Sequence, residues 1–399
     1  MVICHKIEFC NLTFYSYLYP IYKTDWLNVM GFTIYTTTIS LAETLSVGVS
    51  RAFVGVPADR ICGVVVYGTD HSAEYHHLLG EIKCAVRGAL NRPLPVTLVP
   101  QPILPADGFT LDIHTLDSNA TFRIEELGGI CYGVIEEGED KMLFVEGVVS
   151  SDFGASVEQQ SREVFGRLES LLSRYGFAVD DIVRQWNYIG NIVAYRCGKQ
   201  NYQEFNDART AYYSKGAWRN GYPAATGIGA SFEGIIVGCI TFKSGRAGAV
   251  CPIDNPLQVA AHVYSKSVLI DHRADATKST PKFERAKLIE CGYGACCFVS
   301  GTAAIRGEQS LEAESVVEQT IKTIENIEYL VSAENLLRSG CRSCKLQYAK
   351  LHVFIKHAED YEQVREVVER AYPQVAVTYT VADVCRGELL VEIEGILIS

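Results

Sequence analysis

The sequence predicts a mixed α/β (α+β) protein, with mixed β-sheets repeated in tandem and each covered on one face by helices. Two observations support this prediction. Segments 144–223 and 298–373 contain related motifs in the same order, beginning with FVEG or FVSG and ending in a Tyr-Pro pair. In both segments strand and helix patterns alternate, and each helix pattern has a single apolar stripe. Helices of that kind pack on one face of a sheet.

The first copy begins with a strand pattern at 141–150. A helix pattern with apolar residues at helical spacing follows and ends at Gly176. A second strand pattern at 181–193 leads to a helix around 201–213 and then to the apolar strand 234–242. The predicted order of elements is therefore β, α, β, α, β.

The second copy repeats this order, with strand and helix patterns at 295–305, 316–331, 350–356, 360–372, 375–380 and 388–398. Its closing strand differs from the matching strand of the first copy, because ELLVEIEGILI carries charges where GIIVGCITF is apolar. This difference predicts that the second copy supplies the reactive groups, and that the site lies where the two copies meet.

The chain divides into three predicted parts. Residues 1–29 are an N-terminal extension, 30–255 form an N-terminal domain and 256–399 form a C-terminal domain that bears the charged strand. The N-terminal domain is a degenerate copy preceded by a flanking subdomain with a strand pattern at 61–68 and a helix pattern at 73–90.

Composition narrows the class of ligand. The net charge is -11 and Lys and Arg form no run, which argues against nucleic-acid binding. A small anionic ligand needs only a few converging basic residues. No uninterrupted apolar segment is long enough to span a membrane, so we expect a cytoplasmic protein without membrane contact.

Cysteine and histidine give no metal signature. The 14 cysteines are scattered through apolar stretches, as reduced core cysteines are. Cys341 and Cys344 have CxxC spacing but lack a second pair, and the 9 histidines show no metal-binding spacing. Dinucleotide and phosphate-loop motifs are also missing. We therefore expect neither a metal nor a cofactor.

Five positions of the second copy form a pattern: the glycine that opens the unit, two polar residues of its first helix, and an arginine and a glutamate of its last strand. They are Gly301, Gln319, Asn326, Arg386 and Glu392. In this pattern the second copy resembles the YjgF/RidA family, which has a chorismate mutase-like fold. This resemblance implies the same fold for both copies.

A longer series of motifs resembles the chorismatases, which are tandem YjgF-like enzymes that cleave the enolpyruvyl ether of chorismate. The motifs are RQWNYIGNI (184–192), NYQEFNDAR (201–209), YPAATGIGA (222–230), IDNPLQVAAHVY (253–264), PKFERA (281–286), SGTAAIRG (300–307), AENLLRSG (333–340) and LLVEIEG (389–395). Eight motifs in the same order are more specific than any single one.

The resemblance implies an enzyme that converts chorismate into pyruvate and a hydroxybenzoate or a dihydroxycyclohexadiene carboxylate. Two alternatives stay open, a RidA-like enamine or imine deaminase and a non-catalytic protein that binds a small molecule. YjgF relatives are commonly homotrimers, so the chain is expected either to trimerise or to be a monomer with internal pseudo-symmetry.

The closing strand carries the predicted catalytic residues. Cleavage of an enol ether by protonation needs a carboxylic acid that is still protonated near neutral pH. Strand alternation places Glu392 and Glu394 on one face, where like charge and desolvation raise their proton affinity. We predict Glu392 as the general acid and Glu394 as its catalytic neighbour. The alternative is that both lie on the solvated side of an edge strand.

Chorismate is a dianion and needs cations. Arg386 next to the charged strand and Arg209 from the first copy are the predicted carboxylate clamps. The alternative is that they are surface arginines, with Arg386 beside Glu388 and Arg209 in contact with Glu204.

Further binding candidates come from loops and strand ends. Glycines in YPAATGIGA allow backbone N–H groups to approach an anion, and a threonine adds a hydroxyl. Lys356 stands where the chorismatase pattern has arginine, so it offers a point charge instead of a fork. The remaining predicted substrate-binding residues are Thr226, Gly227, Gly229, Tyr213, Ser300 and Gly301.

Overall fold

The computed structural model describes residues 32–69, 74–116, 120–196, 198–265, 270–271, 276–277, 279–291, 294–311 and 315–399. The predicted N-terminal extension, residues 1–29, lies outside the described residues. Mixed sheets with helices are present, which confirms the predicted fold class.

The first unit spans residues 32–116. Its elements are β1 (Phe32–Ser40), α1 (Leu45–Ala52), β2 (Ile61–Gly68), α2 (Tyr75–Leu90), β3 (Val96–Val99) and β4 (Gly108–Leu116). They form a four-stranded sheet of order β1-β4-β2-β3, in which β2 and β3 are parallel and the other pairs antiparallel.

The second unit spans residues 121–243. Its elements are β5 (Thr121–Leu127), β6 (Ile130–Glu137), β7 (Asp140–Val149), α3 (Val157–Arg174), β8 (Ile182–Gly190), β9 (Tyr195–Arg196), β10 (Lys199–Gln200), α4 (Asn201–Tyr213), β11 (Ala224–Ala230) and β12 (Ile235–Lys243). Six of the strands form a sheet of order β11-β8-β12-β7-β6-β5, with β8 and β11 parallel.

The third unit spans residues 250–398. Its elements are β13 (Val250–Ile253), β14 (Ile270–Asp271), β15 (Ala276–Thr277), β16 (Ala286–Cys291), β17 (Gly294–Ala303), β18 (Ile305–Arg306), β19 (Gln309–Ser310), α5 (Val316–Leu330), α6 (Ala333–Arg338), β20 (Gln347–Ile355), α7 (Tyr361–Ala371), β21 (Ala376–Val381) and β22 (Val391–Ile398). The main sheet has the order β13-β16-β17-β22-β20-β21, with β20 and β21 parallel.

All three units follow the same path: strand, helix, strand, helix, parallel strand, and a last strand inserted in the middle of the sheet. The equivalent orders are β1-β4-β2-β3, β7-β12-β8-β11 and β17-β22-β20-β21. The second and third units each add two strands at one edge, β6 and β5 beside β7, and β16 and β13 beside β17. The sequence repeat covers only these two units, so the structure extends it to a third, N-terminal copy.

Helix starts and apolar stripes explain how the helices form and pack. Ser156 and Gln159 form a capping box at the start of α3, and Ser315 and Glu318 do the same for α5. Apolar residues of both helices are buried against their own sheets. Because the helices cover one face of each sheet, the opposite face is left to contact the other units.

The open faces of the three sheets meet at a common centre. Two buried ion pairs and one buried histidine–glutamate contact cross between units there: Lys350 with Asp112 at 2.8 Å, Arg184 with Glu394 at 2.6 Å, and His114 Nδ1 near Glu146 Oε1 at 3.3 Å. Each pair joins a different combination of two units, so the units close into a ring. In the described residues, no helix is long and apolar enough to cross a membrane.

Candidate active site

A cavity of about 720 Å³ lies between the second and third units. The second unit contributes α4 and the start of β11, while the third unit contributes the end of β17 and the loop from β21 to β22. Five predicted site residues line it: Arg209, Gly227, Gly301, Arg386 and Glu392. The structure therefore brings together residues that are up to 183 positions apart in the sequence, from Arg209 to Glu392.

Glu392 lies in the middle of the cavity wall, on β22. Its register partners are Ala303 on β17 and Phe354 on β20. The residue is only 5% exposed, and its carboxyl group has no hydrogen-bond partner among the described residues. Burial, and secondarily the charge of Glu394, raises the pKa of Glu392 to about 8. A buried carboxyl group of this kind carries its proton at neutral pH.

Gly301 allows that carboxyl group its position. A Cβ atom at residue 301 would overlap Glu392 Oε1 and would lie 3.2 Å from Cγ2 of Thr226. Any side chain here would therefore displace the acid or the wall behind it. Gly301 was predicted to bind the substrate, but its N–H donates to the Thr226 hydroxyl at 3.0 Å, so the requirement seen for this glycine is steric.

Two arginines of the cavity are buried without an acidic partner. Arg209 is 1% exposed, and its Nη2 donates to Asn206 Oδ1 at 2.6 Å. Arg285 is 3% exposed, and its Nη2 donates to Val259 O at 2.8 Å and to the Tyr264 hydroxyl at 2.7 Å. Neither forms an ion pair with a described carboxylate, and the Nε of each lacks a partner in the same residues. Buried guanidinium groups in this state favour an anionic ligand.

Arg386 precedes the charged strand and faces the same cavity. Its Nη1 donates to Glu308 O at 3.1 Å and to Ser310 Oγ at 3.0 Å, and the guanidinium lies 5.4 Å from the ring of Tyr264. Nε and Nη2 have no hydrogen-bond partner among the described residues. The group is thus held from one side and can bind a carboxylate from the other.

Glu394 and Thr226 lie one layer behind the cavity wall. Glu394 pairs with Arg184, and its other oxygen accepts from Trp186 Nε1 at 3.1 Å. The Thr226 hydroxyl donates to Glu394 and accepts from Gly301 N at 3.0 Å. Alternation along β22 does place both glutamates on one face, but Glu394 points to the centre of the molecule, where it lines a small cavity of about 50 Å³.

Four other predicted binding residues do not line the cavity, because their polar groups bond within the protein. Tyr213 donates to Gln185 Oε1, Gly229 N donates to Asp383 O, Ser300 Oγ donates to Glu284 O, and Lys356 Nζ donates to Gly387 O. Lys356 therefore contacts the loop that carries Arg386.

Sequence reasoning missed Arg285 and Tyr264 as individual site residues. Both lie in motifs that carry the chorismatase resemblance, PKFERA and IDNPLQVAAHVY. A loop arginine has no periodic pattern, so only its membership of a motif could have indicated it. Tyr202, at the start of α4, also lines the cavity.

The described cysteines form no disulfide and build no metal site. Cys341, which has CxxC spacing with Cys344, lies with its Sγ atom 3.0 Å from that of Cys251. Among the described residues, no group of three or more His, Cys, Asp or Glu side chains could hold a metal ion.

Comparisons with known proteins identify similar chains. A family model described as the N-terminal part of FkbO/Hyg5-like chorismatases matches residues 124–241. A 3-hydroxybenzoate synthase of Streptomyces hygroscopicus is 32% identical over 251 residues, which cover 60% of this chain and 69% of that protein. A chorismatase of Streptomyces rapamycinicus is 30% identical over 261 residues, covering 64% and 74% respectively.

The fold has a counterpart among solved structures. A chorismatase crystal structure superimposes with a TM-score of 0.68 at 22% identity, covering 93% of this chain and all of that chain. At this identity the likeness shows a shared fold, including the N-terminal unit that the sequence repeat does not reach.

Proposed function

The chain belongs to the chorismatase family, and we propose that it cleaves the enolpyruvyl ether of chorismate and releases pyruvate. The observation that carries the proposal is the Glu392 carboxyl group, buried and without a hydrogen-bond partner among the described residues, in a cavity lined by Arg209, Arg285 and Arg386. This combination offers a proton donor and several cations in one place, which suits a dianion that reacts by protonation.

Glu392 acts as the general acid in this proposal. Transfer of its proton to the exocyclic methylene carbon turns the enol ether into an oxocarbenium ion. Water adds to that cation, the resulting hemiketal collapses to pyruvate and the ring alcohol, and the proton lost by the water restores Glu392. Apolar neighbours such as Phe354, which is fully buried, keep the acid protonated near neutral pH.

The arginines bind the two carboxylates of the substrate. Arg386 and Arg285 lie on the third unit near Glu392, whereas Arg209 faces them from α4 of the second unit. Two cationic walls therefore fit a substrate with carboxylates at separate positions. Lys356 is not required as a clamp, because its Nζ donates to the Gly387 carbonyl oxygen.

The fate of the ring depends on which oxygen captures the oxocarbenium ion. Water as the nucleophile leads to a dihydroxycyclohexadiene carboxylate and pyruvate. Capture by an oxygen of the substrate leads to a hydroxybenzoate and pyruvate without net uptake of water. Both routes use the same acid, so we assign the shared first step to Glu392 and leave the nucleophile to product analysis.

The ring of three units within one chain supports a monomer with internal pseudo-symmetry. Inter-unit strand ends already bond to each other, as in the Ser231 N to Pro100 O hydrogen bond of 2.7 Å and the Gly229 N to Asp383 O hydrogen bond of 2.9 Å. One chain thereby supplies the interfaces for which a homotrimer would need three copies.

The test is pyruvate release from chorismate by the purified chain, followed with lactate dehydrogenase and NADH. We expect release well above the spontaneous rate and above that of heat-denatured protein, with the ring product identified by chromatography. Absence of release would overturn the proposal. Ammonia release from freshly generated iminopropionate, measured in parallel, would instead identify an imine deaminase.

A further inference from the structure

Three buried side chains connect the second and third units behind the cavity wall. Arg184 Nη2 donates to Glu394 Oε2 at 2.6 Å and to Thr226 Oγ1 at 2.8 Å, and the Thr226 hydroxyl donates to the same carboxylate oxygen. Arg184 and Thr226 are each 1% exposed and Glu394 is 6% exposed. An ion pair buried to this extent, with the Thr226 hydroxyl bonded to both partners, restrains the side chains of both units.

The Thr226 hydroxyl has no remaining hydrogen-bonding capacity. It donates its one hydrogen to Glu394 and accepts from Arg184 and from the backbone N–H of Gly301, at 3.0 Å. Gly301 is the residue against which the Glu392 carboxyl group rests. A continuous chain of contacts therefore leads from Arg184 and Glu394, through Thr226 and Gly301, to the acid.

We propose that Arg184, Thr226 and Glu394 form a positioning triad that keeps Gly301 and the Glu392 carboxyl group in register with the cavity wall of the second unit. None of the three lines the cavity, so the triad acts through Gly301 and through its charges. This inference rests on the proposed role of Glu392 as the acid of the reaction. It gives Thr226 a different task from the anion binding expected from its motif.

Charged groups from several elements surround Glu392, while its register neighbours on β17 and β20, Ala303 and Phe354, are uncharged. Glu394 of β22 and Glu388 of the preceding loop are acidic, while Arg184 of β8, Arg209 of α4, Arg285 before β16 and Arg386 of the loop are basic. Glu394 raises the pKa of Glu392, and Arg184 and Arg285 lower it. Removal of the Glu394 charge alone should therefore lower the pH at which Glu392 ionises.

The first test compares Thr226→Val with Thr226→Ser in the full chain. Valine keeps the shape and loses the hydroxyl, so we expect kcat for pyruvate release to fall about 10²-fold with little change in KM. Serine keeps the hydroxyl and should retain kcat within about threefold. The role would be overturned if serine were as impaired as valine, or if valine lowered only the thermal midpoint.

The second test does not depend on turnover. Infrared difference spectra of the parent and Glu392→Gln identify the protonated Glu392 carboxyl band, which is then titrated in Glu394→Gln. We expect its midpoint to move to lower pH, and an unchanged midpoint would refute the electrostatic part of the triad. If the chain releases no pyruvate, the proposed function fails while this titration still decides whether the triad controls the acid.

Discussion

Two interfaces in this molecule are built from equivalent elements, yet they are filled differently. Between the first and second units, Tyr75 at the start of α2 packs on Phe153 after β7 and on Phe232 before β12, with ring centroids 5.8 and 5.1 Å apart. His76 stacks on Phe153 at 4.9 Å. These rings pack against one another and fill this part of the interface.

The interface between the second and third units has a tyrosine at the equivalent position but no matching aromatic cluster among the described residues. Tyr202 lies near the start of α4, as Tyr75 does in α2, but it lines a cavity together with Gly301 and Arg386. The result is an open cavity with charged walls. The fold thus provides several topologically equivalent interfaces, and side chains at a few positions decide which one becomes a site.

Among the substitutions that test this comparison, Glu392→Gln in the cavity should cause the largest loss of activity. Glutamine fills the same space but cannot donate the proton to carbon, so we expect kcat to fall by a factor of about 10²–10⁴. Pyruvate release from chorismate measures the effect. Glu366→Gln, which alters an exposed ion pair on α7, is the matched control and should leave the rate unchanged. Full activity in Glu392→Gln would move the acid to another residue.

The same substitution should change stability in a pH-dependent way. Glu392 ionises at a pKa of about 8 in the folded chain and near 4.5 when unfolded, so folding loses stability as pH rises through that interval. Glutamine cannot ionise and avoids this loss. We expect the variant and parent to be equally stable below pH 4.5, and the variant to gain by several kcal/mol toward pH 8, in denaturant titrations. Equal stability at pH 8 would contradict the raised pKa.

Arg285→Lys should have the next largest effect, which is weaker binding of the substrate. Lysine keeps a positive charge but lacks the fork that binds a carboxylate through two parallel hydrogen bonds. We expect kcat/KM for chorismate to fall about 10²-fold, mainly through KM. Arg365→Lys on the exposed face of α7 is the control. An unchanged KM would mean that Arg285 serves only to hold Val259 and Tyr264.

Gly301→Ala should have a smaller effect, because the new methyl group has to displace the Glu392 carboxyl group. We expect about a tenfold loss in kcat. Gly166→Ala is a suitable comparison, since this exposed glycine of α3 lies outside the cavity lining and a Cβ atom there meets nothing within 4 Å. Similar losses in both variants would show that the packing of Gly301 on the acid has no special importance.

Periodicity predicted much of the second and third units. The helix around 201–213 matches α4 at both ends, and the strand predicted at 181–193 became β8, Ile182–Gly190. In the helix predicted at 316–331, which is α5, the apolar Ile321 is 41% exposed because it lies five positions from Val316, away from the buried face. The stripe itself remains valid without it.

Long-range contacts set the limit of what the sequence could predict. Alternation placed Glu392 and Glu394 on one face, but nothing local indicates that Glu394 meets Arg184, which is 210 residues away. The first unit shares topology with the others without sharing their motifs, so its relation became visible only through strand pairing. Arg285 could be found only by its place in a motif, because a single loop arginine has no pattern.

The smallest effect on activity is expected from a substitution in the aromatic interface between the first and second units. Phe232→Ala removes a partly buried ring that packs on Tyr75 and Phe153, so it should lower the free energy of unfolding by about 1–3 kcal/mol. Pyruvate release should stay near the parent rate, because the ring lies outside the cavity of the second and third units. Phe153→Ala provides a parallel measurement. A large loss of activity with unchanged stability in either variant would mean that the aromatic interface takes part in turnover. Both interfaces would then contribute to activity, instead of only the one that contains the cavity.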